Sequence, residues 1–351
     1  MTPLARLLAH RIREGGPISV ADYMAECLLH PVHGYYNTRD PFGTAGDFTT
    51  APEISQMFGE LIGLALAQSW LDQGAPPAFT LAELGPGRGT LMADILRATR
   101  GIPGFHSAAQ VVLVEASPVL RELQARTLRV HDLVPDWVMT AEDLPGQPLF
   151  LIANEFFDAL PIHQYQCVKG HWHERLIGLQ DGALAFGLAE HPSQPATLAA
   201  RGAEEGAIVE ECRVGRVVME AVSDRLSRHG GLALIIDYGD WRSRGDTLQA
   251  LRRHAFDDPL AHPGEADLTA HVDFEALAGQ RPHHYTTQGA FLTRLGVDAR
   301  AERLARNLSG PALESHRAAH RRLTHPEEMG SLFKVLALTR AGAPLPPGFA
   351  P

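Results

Sequence analysis

Cysteine is scarce in this 351-residue chain. Cys27, Cys167 and Cys212 lie far apart, and no two have metal or redox spacing, which excludes a disulfide framework and leaves reduced, buried thiols. Positive charge is outweighed: 31 Lys and Arg against 41 Asp and Glu give a net charge of −10. That balance speaks against a general nucleic-acid binder, which needs a basic face for the phosphates, and suits a basic partner. No apolar run is long enough for a membrane span. The start, Met-Thr-Pro-Leu-Ala-Arg, lacks the apolar stretch of a secretory signal. Glu14 beside Arg6, Arg11 and Arg13 is unlike a transit peptide, so a cytoplasmic location is expected. Repeats and low-complexity tracts are missing, and only the Pro-rich 341–351 reads as a loose tail. Histidine is not scarce, at 18, yet His171 with His173, and His283 with His284, find no third ligand at zinc spacing, and no metal is expected.

What is present is apolar material, 45% of residues, enough for a large core. The chain turns on Phe79-Thr-Leu-Ala-Glu-Leu-Gly-Pro-Gly-Arg-Gly-Thr90. An apolar run ends at Glu83, Gly85, Gly87 and Gly89 alternate, and a helical period opens with Leu91, Met92, Ile95 and Leu96. A strand, a glycine turn and a helix let backbone approach a ligand closely and offer free N–H groups to it. The dinucleotide fingerprint requires glycine at 90, where Thr stands. Spacing two after an acid looks instead like the first motif of Rossmann-like S-adenosylmethionine (SAM) methyltransferases; a plain βα turn is the alternative.

Upstream, helices are expected over 3–13, from Ser19 to Leu29 and over 54–70, with the loop Gly46-Asp47-Phe48-Thr49-Thr50 either a lid or a helix entry. Downstream, apolar runs at 111–115, 137–140, 149–154 and 232–237 alternate with helices, which implies a parallel sheet with ligands at the strands' carboxyl ends. Residues 163–188 alternate like antiparallel hairpins, 206–228 have a helical period, 240–269 form a polar insertion, 270–275 begin a helix, 285–289 are strand-like, 290–295, 299–308 and 311–323 are helical, and 332–338 suit an antiparallel last strand. The expected fold class is α/β: N-terminal helices and a lid over 1–72, then a Rossmann-like SAM-binding domain over 73–340 with insertions at 161–205 and 240–282.

Successive strand ends carry what SAM requires. Glu115 can accept from both ribose hydroxyls, Asp143 or Glu142 from the adenine amine, and the methionyl part lies over Gly85, Gly87 and Gly89, with Glu83 before them and Asn154 ending the fourth strand. Glu155, Asp158, Asp47 and Asp237 fall near the acceptor end, where carboxylates suit a guanidinium, a planar fork of donors; the bland alternative is that Glu155 and Asp158 cap the next helix. SAM is therefore the expected cofactor, and Glu155, Asp158 and Asp47 the candidate catalytic residues.

The chain resembles the MidA-type methyltransferases, which include a mitochondrial complex I assembly factor that methylates protein arginine. The resemblance rests on His33-Gly-Tyr-Tyr36, Gly46-Asp-Phe-Thr-Thr-Ala-Pro-Glu-Ile-Ser55, Glu83 to Thr90, Asn154-Glu-Phe-Phe-Asp-Ala-Leu-Pro161, Asp237-Tyr-Gly239, Asp267-Leu-Thr-Ala-His-Val-Asp-Phe274 and Met329-Gly330, and spans nearly the whole chain. It implies a lid role for Asp47, a substrate-gripping role for Glu155 with Asp158 as second acid, and a partner protein with an accessible arginine. Two other functions fit the same residues: a weakly catalytic assembly factor working through its insertions, and a small-molecule methyltransferase.

Overall fold

The computed structural model describes residues 1–38, 50–131, 133–193, 195, 198 and 204–350. Contacts divide the chain into two compact units that interleave in sequence. One comprises Thr49–Phe157, Val218–Gly239 and Phe274–Pro351; the other comprises Met1–Phe48, Asp158–Val217 and Asp240–Asp273. Residues 1–72, expected as one N-terminal region, are shared between them.

The first of these units is built on seven strands, numbered here within the unit: β1 Phe79–Leu84, β2 Ala109–Val114, β3 Asp136–Val138, β4 Leu149–Asn154, β5 Gly231–Asp240, β6 His283–Thr287 and β7 Phe333–Leu338. Their order is β6-β7-β5-β4-β1-β2-β3. β3, β2, β1, β4 and β5 run parallel, and β7 is antiparallel to both β5 and β6, which confirms the expected last strand and gives 283–287 an edge position. Every residue of β1 is buried, as a parallel strand covered on both faces requires.

Four helices place the site: α1 Ala51–Ile54, α2 Gln56–Asp72, α3 Thr90–Thr99 and α4 Pro118–Leu128. α2 is apolar around most of its surface and packs on α3. Gly59 and Gly63 make the approach possible: a Cβ on Gly59 would lie 2.6 Å from Cβ of Asp94, and one on Gly63 2.9 Å from Cα of Ile95. Within this apolar contact sits one charge cluster. Glu60 accepts from Arg97 at 2.5 Å and from Arg300 at 2.7 and 3.0 Å, while Arg97 also reaches Asp94 at 2.6 Å. The Pro-rich end is docked, not loose as its composition suggests. Phe349 is buried against Phe291, with ring centroids 5.4 Å apart.

In the other unit, helices Pro3–Gly15 and Val20–Leu29 bury Leu4, Leu8, Tyr23, Met24 and Leu28 in a shared core with Ile177 and Leu268. The hairpins are as expected: His163–Val168, His171–Gln180 and Ala183–Leu188 pair antiparallel. Two stretches differ. Ile208–Glu211, expected as the start of a helix, is a strand paired with 163–166, and the helix begins only at Arg213. Glu210 explains why: its carboxylate accepts from the Gln164 amide at 2.8 Å and from the Thr247 N–H and hydroxyl, so its neighbours are fixed in extended form. The second is the polar insertion 240–269, for which the sequence named no elements: Gln249–Arg252 pairs with Ala255–Asp257 and Asp267–Thr269.

Candidate active site

Strand register decides which tips converge. Glu83 lies opposite Leu113 and Ile152, and side chains alternate along each strand. Glu115 and Asn154, each two residues on, therefore continue the same face as Glu83. Asn154 lies opposite Ile236, so Asp237 points to the other face.

The glycine turn is left-handed at all three positions, with φ of +60° at Gly85, +52° at Gly87 and +81° at Gly89, a conformation that glycine adopts without strain. Gly89 is the N-cap of α3. Gly85 is also crowded, because a Cβ there would lie 2.7 Å from Cδ2 of Phe156. Glu83 is 3% exposed, and its Oε2 has no hydrogen-bond partner among the described residues. Burial pushes its carboxyl up to about 8, helped by the neighbouring Glu115 and opposed by the Met92 N–H. Glu115 is also raised by burial, against hydrogen bonds from Ser117 and Gln124. Its Oε1 accepts the Ser117 N–H at 2.8 Å and its Oε2 the Gln124 amide at 3.0 Å.

After β3, Glu142 and Asp143 stand exposed on a short 3-10 turn, and Asp143 caps that turn through Thr140 N–H and hydroxyl at 3.2 and 3.0 Å. At the tip of β4, Asn154 Oδ1 is buried without a partner among the described residues, while its Nδ2 donates to Glu155 Oε1 at 3.0 Å. Glu155 has φ of +51°, rare for a residue with a Cβ. Oε1 of Glu155 also accepts the Ala51 N–H at 3.1 Å, so the carboxylate joins β4 to the start of α1. Asp237, expected near the acceptor, has another role here: its Oδ2 accepts the N–H groups of Phe156 and Phe157 at 3.2 and 3.0 Å, which fixes the turn that carries Glu155.

Glu83, the three glycines, Glu115, Asn154 and Glu155 thus all belong to the strand tips of one unit. Asp158 counts to the other unit, where its carbonyl accepts the Ala270 N–H at 2.9 Å. Beside it, Tyr36 donates to Asp267 Oδ1 at 3.0 Å; burial, with Asp267 and Asp158 adding, drives the Tyr36 hydroxyl well above its ordinary value. Asp47 lies outside the described residues, as do the neighbouring positions of the expected lid. Among the described residues no group of three or more His, Cys, Asp or Glu is placed to hold a metal.

Nothing in the sequence spacing pointed to Glu53, which accepts from the Thr90 hydroxyl at 2.6 Å and so ties α1 to the start of α3, nor to Gln124. For Glu53 a signal existed, an acid in the first turn after Pro52; for Gln124 there was none.

A family model described as an S-adenosyl-L-methionine-dependent methyltransferase matches residues 61–290. The chain belongs to this methyltransferase family. Its relatives include the protein arginine methyltransferase NDUFAF7 homolog, mitochondrial, of Drosophila melanogaster, 38% identical over 95% of this chain and 84% of the relative. NDUFAF7 of Homo sapiens is 36% identical over 96% and 83%. A COG1565 superfamily member from Burkholderia thailandensis, solved bound to S-adenosyl-homocysteine, superposes with a TM-score of 0.84, at 29% identity over 98% of this chain and 93% of that one.

The cofactor of this methyltransferase is SAM, and the strand tips fit it. A ligand with an ammonium, a sulfonium and a ribose diol needs acceptors. The site supplies the Glu115 carboxylate and two buried oxygens without partners among the described residues, Glu83 Oε2 and Asn154 Oδ1, around a turn of three left-handed glycines.

Proposed function

We propose that this methyltransferase modifies arginine side chains of a partner protein. The observation that carries the reading is Glu155: a carboxylate held at the end of β4 by the Ala51 N–H and the Asn154 amide, on a turn fixed by Asp237. Bound SAM supplies a methyl group made electrophilic by its sulfonium. The chain's own residues do the rest. Glu115 holds the ribose, Glu83 and Asn154 face the cationic part, and Glu142 or Asp143 receives the adenine amine. Glu155 orients a guanidinium by charge-assisted hydrogen bonds and takes the proton that the nitrogen sheds as its new C–N bond forms. Asp158 stays in this reading as the second acid and Asp47 as the lid residue. The NDUFAF7 relatives, named protein arginine methyltransferases, support arginine as the acceptor, and the acidic balance of −10 suits a basic partner segment. Cys27 and Cys167 are buried thiols, which suits a reducing compartment.

The test is mass spectrometry of arginine methylation in proteins from cells carrying the wild-type chain or Glu155→Gln. Loss of specific methylarginines with the variant supports the reading. Unchanged methylation with a retained partner points to an assembly role, and methylation confined to a metabolite points to a small-molecule enzyme.

A further inference from the structure

Gln124 sits on α4 with none of its surface exposed, and its amide makes three hydrogen bonds, using both N–H donors and the oxygen. Its Nε2 donates to the Gly87 carbonyl at 2.8 Å and to Glu115 Oε2 at 3.0 Å; its Oε1 accepts the Trp137 indole N–H at 2.8 Å. An indole N–H can only donate, so it obliges the amide oxygen to face Trp137 and directs both amide hydrogens to the other two partners. The backbone of α4 is close as well: a Cβ on Gly89 would lie 3.4 Å from Cα of Gln124. One side chain therefore ties together the glycine turn, the carboxylate after β2 and the edge strand β3.

We propose that Gln124 is a positioning residue for the cofactor, holding the Glu115 carboxylate and the Gly87 carbonyl in one rigid frame whose orientation Trp137 sets. The proposal rests on the assignment of Glu115 and the glycine turn to SAM. Oε1 of Glu115 accepts the Ser117 N–H and Oε2 the Gln124 amide, and a carboxylate oxygen can accept a second donor such as a diol hydroxyl. Without Gln124, rotation of the carboxylate competes with the binding geometry, and the pairing must be re-established when ligand arrives. Because the Trp137 indole is part of the same network, its emission reports on the frame.

The experiment is calorimetric titration with S-adenosylhomocysteine, together with indole fluorescence, on wild type, Gln124→Met and Trp137→Phe. Met keeps the length and removes all three hydrogen bonds. Loss of a hydrogen bond to a charged group corresponds to roughly ten- to a hundredfold weaker binding. Gln124→Met is expected to show that loss, with KM for SAM raised by a larger factor than kcat falls. Trp137→Phe, a change at a half-buried position, is expected to show a severalfold loss, because the amide is free to turn over, and to remove Trp137's share of the fluorescence change expected with wild type. Equal affinities in wild type and both variants overturn the proposal while leaving the cofactor reading intact. If the wild type itself binds no S-adenosylhomocysteine, the cofactor reading falls and takes this inference with it. Should Gln124→Met not fold, Trp137→Phe decides: unchanged affinity there overturns the proposal.

Discussion

The ring of Phe156 occupies the space where Gly85 would carry a side chain, so that a Cβ built on Gly85 would stand 2.7 Å from Cδ2. Two demands meet at one residue: a left-handed backbone with φ of +60° and no side chain under the ring. Gly85→Ala is expected to destabilise the chain by about 1–3 kcal/mol from backbone strain and to weaken SAM binding further by displacing Phe156. The double variant Gly85→Ala with Phe156→Ala relieves the contact but not the strain. Thermal unfolding of the single and double variants separates the two; full recovery in the double variant would show that φ carries none of the cost.

Much of the frame could be read from residue order. Apolar runs that stop at an acid, Glu83 and Glu115, marked the strand tips, and parallel order followed from the intervening helical periods. Which tips share a face followed only from register, and register placed Asp237 on the face away from Asn154. Ile208–Glu211 reads as helix by local period and becomes strand because 163–166, about 45 residues earlier, offers it a ladder. Gln124 sits at one position of an ordinary amphipathic helix, where the 3.6 period says that it faces inward but not what it meets. The acid in the middle of the apolar helix α2, Glu60, does announce that a cation must cover it. Nothing local says that the cation is Arg300, 240 residues away.

Glu60 is a stability residue by this argument. Burial raises its carboxyl, but the hydrogen bonds from Arg300 and Arg97 prevail and hold it below the ordinary carboxylate range. Arg97 and Arg300 are 44% and 32% exposed and can turn to water, so the loss on Glu60→Ala is smaller than for a wholly buried pair, about 1–3 kcal/mol. A depressed carboxylate stabilises above the unfolded value and loses that contribution as pH falls through the folded one. Urea unfolding of wild type should therefore weaken below the ordinary carboxylate range, and the Glu60→Ala curve should lack that part of the acid dependence. Parallel acid limbs would remove Glu60 from the account.

Glu83 has the opposite sign. Its folded value of about 8 lies above the ordinary 4.5, so the ligand-free folded chain holds a proton that the unfolded chain releases across that interval. Its contribution is fully present below pH 4.5 and is lost as pH rises to about 8. Glu83→Gln, which keeps the shape and the hydrogen-bonding capacity, should flatten this part of the stability profile. A cationic ligand beside Oε2, which has no partner among the described residues, favours the ionised form, so SAM binding near neutral pH should release a proton. Titration in two buffers of different ionisation enthalpy reads that proton directly. Equal heats in both buffers for wild type would dissociate Glu83 from the cationic part of the cofactor.

Glu155 separates charge from geometry. Oε1 accepts the Ala51 N–H at 3.1 Å and the Asn154 amide at 3.0 Å, and a glutamine oxygen can accept both, so Glu155→Gln keeps the join between β4 and α1. What it removes is the negative charge that orients a guanidinium and receives its proton. Methylation of an arginine peptide should fall on the order of a hundredfold or more, the scale of losing one preorganised electrostatic contact, with S-adenosylhomocysteine affinity changed severalfold at most. Glu155→Asp tests reach: the charge stays, but the carboxylate withdraws by one methylene from Ala51, so activity should fall while remaining above that of the glutamine variant. A glutamine variant as active as wild type would assign Glu155 to capping α1 alone.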